Sequence, residues 1–130
     1  MKFGETIKTE DFKKEKHVPV IEIPEKIKAN EVINIKVTVG KEIPHPNTTE
    51  HHISWIKVFF KPEDEQYSYE VGNFEFTAHG EAVGGPNTGP VYTEPTVSLS
   101  LKLAKGGTLL ALSYCNIHGL WENSAKITVE

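Results

Sequence analysis

The chain has a single cysteine, so no disulfide can close within it, and Cys115 is left free, metal-bound or reactive. Its only methionine is Met1. No apolar stretch approaches the roughly 20 residues that a bilayer-crossing helix needs. The opening Met1-Lys2-Phe3-Gly4-Glu5-Thr6 lacks the apolar core of a secretory signal. No run of like charge is long enough for a nucleic-acid patch, and the formal net charge is only -4. These absences argue against a membrane protein and a nucleic-acid binder, and they make the cytoplasm the expected compartment.

What is present fits one ordinary domain. A length of 130 residues, with 38% hydrophobic and 25% charged, is enough to bury a core without staples. No internal repeat or linker divides residues 1–130, so a single domain is expected. The first sixteen residues mix Lys with Glu and Asp and are expected on the surface. Beyond them the pattern is that of strands. Residues 33–39 and 97–103 alternate apolar and polar strictly, as half-buried strands do. Shorter candidates are residues 18–23, 52–60, 67–71, 74–78, 109–114 and 126–129. Gly40, Pro62, Gly72, Gly84-Gly85-Pro86, Pro95 and Gly106-Gly107 punctuate them. No segment after residue 16 holds a helical period, and seven or more short strands predict an antiparallel β-sandwich. The longer connections are residues 41–51, 81–90 and 116–123, and two of the three carry candidate ligands.

The chemistry gathers in three stretches: Glu15-Lys16-His17, His45 through His51, and Cys115-Asn116-Ile117-His118-Gly119. Four imidazoles and one thiol suit a first-row transition metal, because both are borderline-to-soft donors. Structural zinc takes four ligands, so five donors are one too many. Five protein ligands leave a sixth position for a small molecule, which points to iron and redox chemistry. The C-x-x-H pair of Cys115 and His118 lies on a turn whose backbone N–H groups can bond the sulfur and tune it. His45 stands between Pro44 and Pro46, which stiffens the backbone that aims it. His51 and His52 are adjacent and point to opposite faces of a strand, so one of them serves the metal. The spacing alone does not decide which. His79 has no neighbouring donor except Glu81 and reads as a surface or hydrogen-bonded histidine.

Taken together, Glu15-Lys16-His17-Val18-Pro19, His45-Pro46-Asn47 through His51-His52, and Cys115-Asn116-Ile117-His118-Gly119 resemble the one-iron superoxide reductases, or neelaredoxins. The resemblance runs over essentially the whole chain and includes Tyr92-Thr93-Glu94-Pro95 and Gly119-Leu120-Trp121-Glu122. It implies an immunoglobulin-like, seven-stranded antiparallel β-sandwich or barrel. It also implies a mononuclear non-haem iron with His17, His45, His51 and His118 around it and Cys115 as axial thiolate, which selects His51 over His52. Glu15 would be the sixth ligand in the ferric resting state, with Lys16 near the open face. The reaction implied is one-electron reduction of superoxide to hydrogen peroxide. Some relatives carry an added iron domain built on four further cysteines, and this chain has none to supply it. One iron per chain, an external rubredoxin-like electron donor and a homotetramer are what the resemblance implies.

Charge bookkeeping agrees. A ferrous ion with one thiolate and four neutral imidazoles carries about +1, and a ferric one about +2. An anionic substrate is drawn to that centre although the chain as a whole is negative, and Lys16 adds to the local attraction. The alternative from another class is a cupredoxin-like copper protein that only passes electrons. Such sites use two His, one Cys and usually an axial Met, and here Met1 is the only methionine. A non-catalytic zinc-stabilised binding module is the third reading.

Overall fold

Strict alternation of side chains puts one face of each long strand inside and the other outside. In a computed structural model, which describes residues 1–130, that alternation is most regular in β3 (Val32–Val39) and β7 (Gly107–Cys115). The other strands are β1 (Pro19–Glu22), β2 (Lys26–Ile27), β4 (Ile53–Pro62), β5 (Tyr69–Glu75), β6 (Thr96–Lys102) and β8 (Gly119–Val129). They form two sheets, ordered β1-β3-β6 and β2-β8-β7-β4-β5. Every pairing is antiparallel except that of β2 with β8.

The inner faces meet in one core. Ile35, Val37 and Val97 come from the smaller sheet, and Ile53, Ile56, Val58, Leu109 and Ile127 from the larger one. Each fully buried aliphatic side chain of this kind contributes about 1.5–3 kcal/mol. The expected all-β sandwich is therefore what the chain forms. Eight strands stand where the resemblance implies seven, the two-residue β2 being the shortest.

Two expected boundaries shift most. Residues 67–71 and 74–78 join into the single strand β5, and Gly72 lies inside it, where the pairing with β4 slips at Val58/Phe59. The final strand begins at Gly119 instead of residue 126, so the expected connection 116–123 shrinks to a tight turn. The leading segment lies mostly exposed, as expected, yet it is tied to the body. It holds a 3-10 turn at Phe3–Thr6, and Lys8 bridges to Trp121. No helix is long and apolar enough to cross a membrane.

Pairings fix where the functional ends lie. Pro19 stands opposite Val39, Ile53 opposite Cys115, and Cys115 opposite Gly119. The start of β1, the end of β3, the start of β4 and the β7–β8 turn are thus collected at one end of the sandwich.

Candidate metal centre

Cys115 is the last inward residue of β7, following Leu109, Ala111 and Ser113 at every second position, and it is completely buried. The chain then reverses through Asn116, Ile117 and His118, and Gly119 closes the turn with φ +81°. That reversal brings the His118 backbone N–H 3.4 Å from Cys115 Sγ and His118 Nδ1 3.7 Å from it. His17 precedes β1 and is buried, its carbonyl receiving the hydroxyl of buried Ser113 at 3.2 Å. His45 and His51 lie on the loop between β3 and β4. Gly40, at the start of that loop, has φ +88°, and a Cβ there would stand 2.7 Å from the His45 backbone nitrogen.

The four imidazoles form a closed ring of neighbours. Centroids are 4.7 Å apart for His17–His45, 4.8 Å for His45–His51, 5.0 Å for His51–His118 and 4.5 Å for His17–His118. The diagonal His17–His51 is longer, at 6.3 Å. One donor atom from each of His17, His45, His51 and Cys115 lies within 4.8 Å of the others. His118 falls outside that mutual set, yet its Nδ1 is 3.1 Å from His17 Nε2.

Hydrogen bonds decide which ring nitrogen is free. His17 Nδ1 donates to Glu15 Oε1 at 2.6 Å, and His45 Nδ1 donates to the Pro46 carbonyl at 2.5 Å. Both leave Nε2 with its lone pair, the arrangement that orients metal-bound histidine. His45 Nε2 and His51 Nε2 are buried without any partner. Leaving one such polar atom unpaired costs about 1–3 kcal/mol. A cation at the centre of the ring satisfies both, so these residues fit a metal with imidazole and thiolate ligands.

Electrostatics point the same way. Burial pushes His45 down to about 4, and the facing His17, His51 and Lys16 add to the shift. Burial also lowers His17 and His51, with positive neighbours contributing. Imidazoles held neutral are imidazoles able to bind a metal. Burial would raise the Glu15 carboxyl, but hydrogen bonds from the side chain and backbone of His17 outweigh it, and the net shift is downward.

The sequence-predicted residues sort as follows. His17, His45, His51, His118 and Cys115 come together. The Glu15 carboxylate rests on His17 Nδ1, on the ring's outer nitrogen. Lys16 is half-buried and contributes positive charge at Glu15, His17, His45 and His51. His52 stacks on His79 with centroids 3.6 Å apart and planes 5° from parallel, and His52 Nδ1 donates to the Thr48 carbonyl. His79 is buried, not a surface residue, and its Nε2 donates to the Phe76 carbonyl at 2.7 Å. Sequence reasoning gave Trp121 no role at the site. It stacks on His17 at 5.1 Å and 17°, while its indole N–H donates to the His118 carbonyl at 3.2 Å. Its position three residues after His118, across a tight turn, was the available signal.

Fold and site together define a β-sandwich protein with one histidine–cysteine metal pocket at the end of its sheets. The desulfoferrodoxin family model matches residues 9–124. A superoxide reductase of Pyrococcus furiosus is 60% identical over 127 residues, covering 98% of each chain. A neelaredoxin of Megalodesulfovibrio gigas is 55% identical over 130 residues, covering 100% of each. A Thermotoga maritima protein solved by crystallography is 72% identical with a TM-score of 0.98, and the match covers 100% of this chain and 98% of that one. This chain belongs to the desulfoferrodoxin family. The copper alternative has no support in these matches. Its axial methionine is missing too, since Met1 lies almost fully exposed.

Proposed function

We propose that the chain is a superoxide reductase whose single iron is held by His17, His45, His51 and His118, with the Cys115 thiolate as the fifth donor. The observation that carries this reading is the closed ring of imidazoles with two buried, unpartnered ring nitrogens beside the one thiol. Iron, when bound in its ferrous form, supplies the electron that with two protons converts superoxide to hydrogen peroxide.

The chain's own residues supply the rest. Glu15 fixes the tautomer of His17 by accepting from Nδ1, which keeps Nε2 free for the metal. In the oxidised resting state the same carboxylate would have to leave His17 Nδ1 to fill the sixth position. The Trp121 ring lies over His17 and limits water on that side. Lys16 attracts the anionic substrate to a protein of net charge -4, and can hold a water that delivers a proton. The His118 N–H aimed at Cys115 Sγ steadies the thiolate.

Electrons come from an external rubredoxin-like donor, a reading supported by the absence of a second cysteine-ligated iron centre from these 130 residues, whose one cysteine belongs to this site. The working compartment is the cytoplasm, and the assembly is a homotetramer. An outer face lined by Phe3, Trp55, Leu112, Tyr114 and Leu120, with Lys57 among them, supports association. The test is metal analysis of protein purified without added metal, together with product stoichiometry. One iron per chain and one peroxide per superoxide, with no dioxygen formed, is the expected result. Copper or zinc in place of iron, or dioxygen among the products, would overturn the reading.

A further inference from the structure

The β4–β7 ladder ends with Ile53 opposite Cys115. Beyond that point the chain turns away to bring the His118 N–H to the sulfur. One side chain carries the pairing further. Asn116 Oδ1 accepts from the His52 backbone N–H at 2.9 Å, and its Nδ2 donates to the Glu50 carbonyl at 3.0 Å. Its own backbone N–H donates to the His52 carbonyl at 3.2 Å. The amide stands in for a peptide unit and grips the chain on both sides of His51.

We propose that Asn116 is a positioning residue: its amide locks the His51-bearing loop and the Cys115 turn into one unit, so that sulfur and imidazole reach the metal with a fixed separation. This rests on the metal centre proposed above. His51 needs such a tie. Its Nε2 is buried and unpartnered, and no strand or helix runs from Gly40 to His52. The loop's other ties lead elsewhere. Asn87 accepts from the Thr49 N–H at 2.8 Å and donates to the Glu50 carboxylate at 2.7 Å, which binds the loop to residues 80–90 and not to the cysteine.

The chemistry is particular to asparagine. Aspartate accepts but cannot donate, alanine does neither, and glutamine puts the amide one methylene too far away. Asn116 is also exposed, so its contribution does not come from filling the core.

The test compares the iron-loaded full chain with Asn116→Ala, Asn116→Asp and Asn87→Ala. It reads iron loss to an excess of a ferrous chelator and amide hydrogen exchange at His52. Asn116→Ala should bind iron about 10–100-fold more weakly, the usual effect of removing a group that orients a ligand, which shows as faster loss to the chelator, and its His52 amide should exchange faster. Asn116→Asp should keep that amide protected through Oδ1 yet lose iron at an intermediate rate. Asn87→Ala should stay near the parent rate. Parent-like iron loss in both Asn116 variants overturns the proposal, as does equal acceleration in Asn87→Ala, which would indicate general loosening of the loop. A parent that takes up no iron refutes the metal reading instead. The clasp is then judged by the His52 amide, and protection unchanged in Asn116→Ala overturns it.

Discussion

Acidifying the metal-free protein to pH 5 should cost about 2 kcal/mol of stability through His45 alone. The imidazole titrates near 6.5 when unfolded and is pushed to about 4 in the fold, chiefly by burial, with 7% of its surface exposed. The Pro46 carbonyl, accepting from Nδ1, works against that shift without cancelling it. A depressed histidine stays neutral in the fold while the unfolded chain takes up the proton. Its stabilising contribution is therefore complete above about pH 6.5, erodes as the pH falls towards 4, and is flat below. His17 and His51 are shifted in the same direction by burial, so the total loss is larger. Urea midpoints of metal-free protein between pH 7.5 and 4 measure this, with His45→Gln as reference. The variant should show a shallower slope over that window. Identical slopes would mean that burial does not hold His45 neutral below its ordinary range.

Three further outcomes follow from the geometry. His51→Ala should lose iron, whereas His52→Ala should keep it and lose about 1 kcal/mol for the vanished stack on His79; metal content and urea melts decide, and iron loss only in His52→Ala would reverse the assignment. Lys16→Ala should slow the second-order reaction with superoxide, and raising the ionic strength should slow the parent more than the variant; identical pulse-radiolysis rates and salt slopes would reduce Lys16 to a solvated charge. Gly40→Ala should destabilise the protein by about 1–3 kcal/mol, since φ +88° and a Cβ 2.7 Å from the His45 nitrogen both oppose it; an unchanged thermal midpoint would refute that close approach.

The fold was legible wherever one face of a strand is buried. β3 and β6 announced themselves through unbroken alternation, because opposite faces meet core and solvent. β8 was cut short because only Ile127 along it is buried, leaving Trp121 to Lys126 no apolar period to read. β5 was split at Gly72, a residue that signals a break in isolation but sits in a bulge once β4 lies beside it. At the site, imidazole and thiol are rare enough in this chain to mark themselves. Neutral supports are not: Ser113 bonds His17 across 96 positions of chain and Asn116 grips Glu50 across 66, and no local pattern carries that signal. His79 takes the hydrogen-bonded one of its two expected readings; its burial was not legible because its stacking partner, His52, becomes a neighbour only when the chain folds.

The claim that one iron sits among four imidazoles on a cysteine thiolate is tested most directly by the visible spectrum of iron-loaded protein, oxidised and then reduced, beside that of Cys115→Ser. The parent should show a thiolate-to-Fe(III) charge-transfer band that vanishes on reduction and returns when superoxide is added. Cys115→Ser should keep its β-sheet circular dichroism and lose both the band and most of the activity, because a hydroxyl is a far poorer donor to iron. A parent without the band, or a Cys115→Ser protein that keeps the band and still reduces superoxide, would contradict the account.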